Sequence, residues 1–237
     1  MSILTRLTKE AAQRLLPQTR YVTSMQESDA NTRPVPIYLT FDDGPHPDHT
    51  PRILDQLAEL NAKATFFILG KHAKCYPDIV RRTLSEGHSI GTHSWSHWSA
   101  RTTPTTTWIE DVHRARSEVE HITGLHCCLF RPPYGELTPL SLLALLRSGV
   151  RTIQWSQDTK DFEADTAYQF NQWFVNNKPS LGSVVLMHDN QALTSENLQE
   201  GCLNWKLGVD FRAIPMTIAS PSKELEHSKT TRAQRHD

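Results

Sequence analysis

The segment HSWSH, His93 to His97, and the acidic pair Asp42-Asp43 in YLTFDDGP carry the residue types of a metal site. Two imidazoles four residues apart share one face of a helical turn, and a carboxylate from the end of an earlier strand completes a three-ligand set. Three protein ligands leave a position for water or substrate, the pattern of a catalytic rather than a structural metal. With 12 histidines in the chain, HxxxH spacing alone is a frequent coincidence. Three further clusters change the weighing: RPPYG from Arg131, DTKDF from Asp158 and LMHD from Leu186 each lie at or just after an apolar, strand-like run.

The elements that must position these clusters are legible from periodicity. Strand-like runs at 36–41, 64–69, 88–92, 127–130, 150–155, 182–187 and 210–217 alternate with helical patterns at 51–60, 74–86, 107–122, 138–148, 165–177 and 193–207. Regular βα alternation implies parallel strands with right-handed crossovers, and about seven such units predict an α/β fold closed into a barrel. Such barrels gather function at the carboxyl ends of their strands. Asp42-Asp43 follows IYLTF, His93 follows HSIGT, Arg131 follows CCLF, Asp158 follows TIQWSQ and His188 follows SVVLM, so all the clusters converge on one face. Gly87, Gly124 and Gly149 end three helical runs and suit left-handed caps.

Three segments are expected: an N-terminal helical and linker piece over 1–34, a catalytic domain over 35–219, and a polar, disordered tail over 220–237. In the first, Leu4, Leu7, Ala11, Leu15 and Leu16 repeat at helical spacing and predict a short, peripheral amphipathic helix. Arg6, Lys9, Glu10, Arg14 and Arg20 interrupt residues 1–20, leaving no continuous apolar stretch for a membrane span or secretory signal, so a cytoplasmic location is expected. A net charge of -1 gives no electrostatic footprint for nucleic acid. Cys75, Cys127, Cys128 and Cys202 have no CxxC spacing and read as buried or incidental thiols.

In order, TFDDGP, HSWSH, RPPYG, DTKDF and LMHD resemble the five motifs of the polysaccharide deacetylases of the NodB-homology class, carbohydrate esterase family 4, over about residues 36–217. The resemblance implies a distorted (β/α) barrel and metal-dependent removal of N-acetyl or O-acetyl groups from sugars. On that basis Asp43, His93 and His97 hold a divalent metal. Mixed nitrogen and oxygen ligands favour zinc, with cobalt, nickel or manganese as alternatives. The resemblance makes Asp42 the general base, and Arg131 is expected to reach it and keep it ionised. His188 is the expected general acid, and the family pattern assigns the carboxylate that favours its protonated form to Asp161, with Asp158 as the alternative. The backbone N–H of Tyr134 matches the family position that donates to the oxyanion, and Leu186 the one that floors the acetyl-methyl pocket.

One departure is visible, because the fourth motif usually ends in Trp and here has Phe162. Phe keeps an apolar groove wall but lacks the indole N–H. Trp95, Trp98 and Trp155 lie near the same face and could stack on sugar rings. The leading expectation is an N-deacetylase acting on N-acetylglucosamine-containing glycans of chitooligosaccharide or peptidoglycan type. The alternatives are an O-acetyl xylan esterase or non-sugar amidase of the same fold, and a non-catalytic glycan-binding protein.

Overall fold

Strand β2 (Val35–Asp42) is buried along almost its whole length because parallel strands cover it on both sides and helices pack over the sheet. It pairs with β3 (Ala64–Ile68) and β8 (Val184–His188), and β4 (Ser89–Thr92), β5 (Leu129–Phe130) and β6 (Arg151–Ile153) follow in order beyond β3. The two-residue strands β1 (Tyr21–Val22) and β7 (Gln157–Asp158) end the eight-strand path, and β9 (Val209–Phe211) pairs with the start of β2. All of these pairings are parallel. The computed structural model describes residues 3–216 except Ser28, Ala30, Lys206 and Leu207, so the expected tail over 220–237 lies outside the described residues.

The barrel is distorted at one place for a definable reason. The strand expected over 150–155 ends at Ile153, and the chain bends between β6 and β7 and changes partners: Gln154 N–H donates to Val22, whereas Ser156 N–H donates to Val184. The bend carries the ring from β5 and β1 across to β8. Below it, β1 fills the gap and an antiparallel bridge joins Ser24 to Ser183.

Alternation along β2 sends Leu39 and Phe41 outward into a core with Ile53, Leu54, Leu57 and Leu198, while Tyr38 packs with Phe67, Leu129, Ile153 and Val184 in a second cluster. The outer ring consists of α2 (His49–Glu59), α3 (Gly70–Cys75), α4 (Pro77–Ser85), α5 (Thr105–Thr123), α6 (Pro139–Ser148), α7 (Ala167–Asn176) and α8 (Ala192–Leu203). The helix expected over 74–86 is broken at Tyr76, since Pro77 starts a new helix. Gly124 and Gly149 cap α5 and α6 at φ 69° and 75°.

Three other expectations change. The last strand is only Val209–Phe211 and sits off the main path, and β1 arises in the segment expected to lack strands. Helix α1 (Ile3–Leu15) forms, but Leu4, Leu7 and Leu15 point to solvent; it is Thr5, Thr8 and Ala12 that face the barrel. The small Ala12 side chain permits close approach to the cluster containing Tyr21 and Leu145. Cys127, Cys128 and Cys202 are buried free thiols, whereas Cys75 is exposed. No described helix is long and apolar enough to cross a membrane.

Candidate active site

The sequence clusters meet at the carboxyl ends of the strands. Asp42 ends β2, His93 and Arg131 directly follow β4 and β5, Asp158 ends β7, and His188 ends β8. The β2–β8 register sets Asp42 directly beside His188. A cavity of about 380 Å³ is lined by Asp42, Asp43, His93, His97, Tyr134, Trp155, Asp158, Phe162, Leu186 and His188. Arg131 and Asp161 do not line it; each is buried and grips one residue that does.

His97 Nε2 and His93 Nε2 lie 3.3 and 3.7 Å from the same oxygen, Asp43 Oδ1. That oxygen is buried and meets no hydrogen-bond partner among the described residues. Such an orphan beside two imidazole nitrogens fits a cation that supplies the missing positive charge. The Nδ1–H of His93 is taken by the Arg131 carbonyl at 2.8 Å, which leaves Nε2 as the free lone pair. Burial, opposed by the Asp43 charge, pushes the His93 imidazolium down to about 3, and burial likewise lowers His97. Both are therefore neutral, the form that binds metal. Further contacts hold Asp43: Asn190 Nδ2 donates to its Oδ2 at 3.3 Å, and the His72 ring binds its carbonyl at 2.8 Å.

The HSWSH segment is not helical, contrary to expectation: Ser94 and His97 adopt φ of 68° and 61° in a loop. The physical reason is Asp111 of α5, whose Oδ2 accepts from the backbone N–H groups of both Trp95 and Ser96. Those N–H groups are thus bound from outside, and the loop folds to bring both imidazoles onto one carboxylate. Sequence reasoning missed Asp111, although it interrupts the buried stripe Trp108, Asp111, Val112, Ala115, Val119 of α5. A carboxylate on an apolar stripe signals a buried partner.

Arg131 is fully buried inside the barrel. Its Nη1 donates to Asp42 Oδ1 at 2.8 Å and to Thr40, its Nε and Nη2 donate to the Ile153 and Gln154 carbonyls, and its guanidinium lies over Phe67. Burial pushes the Asp42 carboxyl up from its ordinary value, while Arg131 and then His188 pull it back. The other Asp42 oxygen, Oδ2, lies 3.7 Å from His93 Nε2 and so faces the metal cluster.

His188 Nδ1 is 2.7 Å from Asp161 Oδ1, and its backbone N–H donates to Asp161 Oδ2, which also accepts from Thr194. Burial alone would lower the imidazolium. The Asp161 hydrogen bond and charge, followed by Asp42 and Asp43, overcome it and raise the pKa to about 9. Asp158 makes no hydrogen bond or ion pair with His188 among the described residues and instead accepts from Lys160 N–H. Phe162 stands edge-on to the His188 ring at 5.3 Å, Tyr134 edge-on to His97 at 4.6 Å, and Leu186 is buried at the cavity wall. Of the three tryptophans singled out, Trp155 lines the cavity, Trp95 is covered by Arg114, and Trp98 is largely exposed. Asp189, the last residue of LMHD, is fully buried beneath the DDGP turn: a Cβ on Gly44 would lie 1.9 Å from its Oδ2.

A (β/α) barrel with an Asp-His-His cluster, a paired aspartate and a carboxylate-bound histidine at its catalytic face has the architecture of a metal-dependent hydrolase. The polysaccharide deacetylase family profile matches residues 29–153. Over 153 residues the chain is 37% identical to a peptidoglycan-N-acetylglucosamine deacetylase of Bacillus cereus, covering 64% of this chain and 55% of that protein. It is 38% identical over 155 residues to a chitooligosaccharide deacetylase of Azorhizobium caulinodans, covering 65% and 73%. The fold matches the peptidoglycan deacetylase PdaC from Bacillus subtilis with a TM-score of 0.72 at 28% identity, covering 86% of this chain and 95% of that one. A peptidoglycan N-acetylglucosamine deacetylase in complex with 4-naphthalen-1-yl-N-oxidanyl-benzamide matches with a TM-score of 0.76 at 31% identity, covering 84% and 94%. The chain belongs to the polysaccharide deacetylase family. Its match spans about half the length of the Bacillus cereus relative.

Proposed function

We propose that this protein is a metal-dependent deacetylase that removes N-acetyl groups from N-acetylglucosamine-containing glycans of chitooligosaccharide or peptidoglycan type. The observation that carries the reading is the orphaned Asp43 Oδ1 between two neutral imidazoles, in the same cavity as Asp42 and His188. The activities of the relatives from Bacillus cereus and Azorhizobium caulinodans support the same substrate class.

Asp43, His93 and His97 are the proposed ligands, and zinc suits their mixed nitrogen and oxygen donors. When bound, the ion supplies Lewis-acid polarisation of the acetyl carbonyl and makes water acidic enough to serve as a nucleophile near neutral pH. Asp42 takes a proton from the attacking water through Oδ2, while Arg131 fixes Oδ1 and keeps the carboxylate oriented. His188 enters protonated because of Asp161 and delivers its proton to the departing amine nitrogen as the C–N bond breaks. Tyr134 N–H donates to the developing oxyanion, and Leu186 and Phe162 form the apolar walls around the acetyl methyl and the sugar.

The direct test is acetate release from N-acetyl and O-acetyl glycans, with and without added zinc. Metal-dependent release from N-acetylglucosamine oligomers is expected. Release only from O-acetylated xylan would favour the esterase alternative, and no release from any glycan would reject the enzymatic reading.

A further inference from the structure

Beside the acetyl cavity lies a second one, of about 350 Å³, between α1 and the β6–β7 bend. Trp155 lines both. Its ring packs against Gly135, where a Cβ would lie 2.6 Å away, so this partition between the two spaces is fixed in position. The second cavity is also lined by Arg6, Lys9 and Glu10 of α1 and by Tyr21 and Gln154.

The charges there do not cancel. Arg6 pairs with Glu10 at 3.7 Å, whereas Lys9 has no ion pair or hydrogen bond among the described residues. Its ammonium sits 5.0 Å from the Trp155 ring centroid. Burial first, and then the charge of nearby Arg131, lower the Lys9 pKa. Tyr21 and Gln154 in the lining are buried against each other, and Gln154 acts on the Tyr21 hydroxyl as a hydrogen-bonding neighbour. An ammonium held over an indole ring and without a carboxylate partner among the described residues is the chemistry that receives a single negative charge at the cavity wall. The neutral Arg6-Glu10 pair leaves a net charge of one, which suits a carboxylate better than a doubly charged phosphate.

We propose that this cavity is a subsite for a carboxylate carried by the sugar adjoining the one that is deacetylated, with Lys9 as the anchoring cation and Trp155 as the ring that positions its ammonium. The assignment rests on the deacetylase reading. It gives the N-terminal helix a part in substrate choice, favouring acidic glycans over neutral chitooligosaccharides.

The test uses an N-acetylglucosamine disaccharide carrying a 3-O-lactyl carboxylate on one ring, its carboxamide, and a version in which one amino acid carries the carboxylate away from the sugar. Binding is measured by calorimetry on zinc-loaded Asp42→Asn protein, and acetate release on the zinc-loaded wild type. The acid should bind about tenfold tighter than the amide and the extended version, the size expected of a hydrogen bond to a charged group. Lys9→Gln should erase that ratio, and Lys9→Arg should retain it. Equal affinity for acid and amide would overturn the proposal. So would tighter binding of the extended version, or a Lys9→Gln protein that keeps the ratio, including one that loses affinity for all three ligands alike. If wild type releases acetate from neither acid nor amide, the deacetylase reading fails, while the calorimetric ratio still reports on the subsite.

Discussion

Replacing Asp161 by Asn removes the charge that holds the His188 proton but leaves His188 in place. With Asp161 present the imidazolium titrates at about 9; without it, burial is the largest remaining influence and acts downward from the ordinary 6.5. Asp42 and Asp43 still act upward, so the basic limb of the pH–rate profile should move from near pH 9 toward the ordinary 6.5. At pH 7.5 that change takes His188 from almost wholly protonated to roughly one-tenth protonated, a loss of roughly tenfold in rate that narrows toward pH 6. Stability should follow the same linkage. The folded state binds this proton more tightly than the unfolded chain, so its contribution is complete below about 6.5 and is lost as pH rises through about 9. Its full size is on the order of 3 kcal/mol. The melting-temperature gap between wild type and variant should accordingly be widest near pH 6 and narrow by pH 9, with a residue from the lost His188 N–H and Thr194 bonds. The assay is acetate release across pH on protein of measured zinc content. An unmoved basic limb in an active, zinc-loaded variant would refute the coupling.

Other substitutions separate the remaining roles. His93→Ala and His97→Ala each leave two protein ligands, so neither should retain zinc through gel filtration, and full occupancy by metal analysis in both would reject the ligand set. Asp42→Asn should keep zinc but lose ~10²–10⁴-fold in turnover; near-normal acetate release from the loaded protein would remove Asp42 as the base. Asp111→Ala frees the Trp95 and Ser96 N–H groups and should weaken zinc affinity by about 10–100-fold, read by chelator competition. Gly44→Ala forces a Cβ into the Asp189 carboxylate and should destabilise the fold by about 1–3 kcal/mol, seen as a lowered melting temperature, with partial recovery in combination with Asp189→Ala.

The kinds of chemistry, and the face on which they gather, are local properties of this chain. Apolar runs alternating with helical patterns fix where strands end, and TFDDGP, HSWSH, RPPYG, DTKDF and LMHD sit at those ends, so the barrel and its catalytic rim follow from the order of residues. Which groups touch is different, because contact depends on pairing between distant segments. Arg131 reaches Asp42 across 89 positions only because β5 and β2 face each other across one barrel interior, and the β2–β8 register sets Asp42 beside His188. The choice of Asp161 over Asp158 turns on where the chain runs after β7, which periodicity does not encode. Local spacing also misleads where a tertiary partner outbids it. His93 and His97 have helical spacing, yet Asp111 takes the intervening N–H groups and holds a loop instead. The leucines of α1 have the spacing of a buried face, yet the helix docks through Thr5, Thr8 and Ala12, since only small side chains let it lie close to the barrel. Sequence pattern records each segment's own preferences; the final positions follow from the hydrogen bonds and close packing that other segments supply.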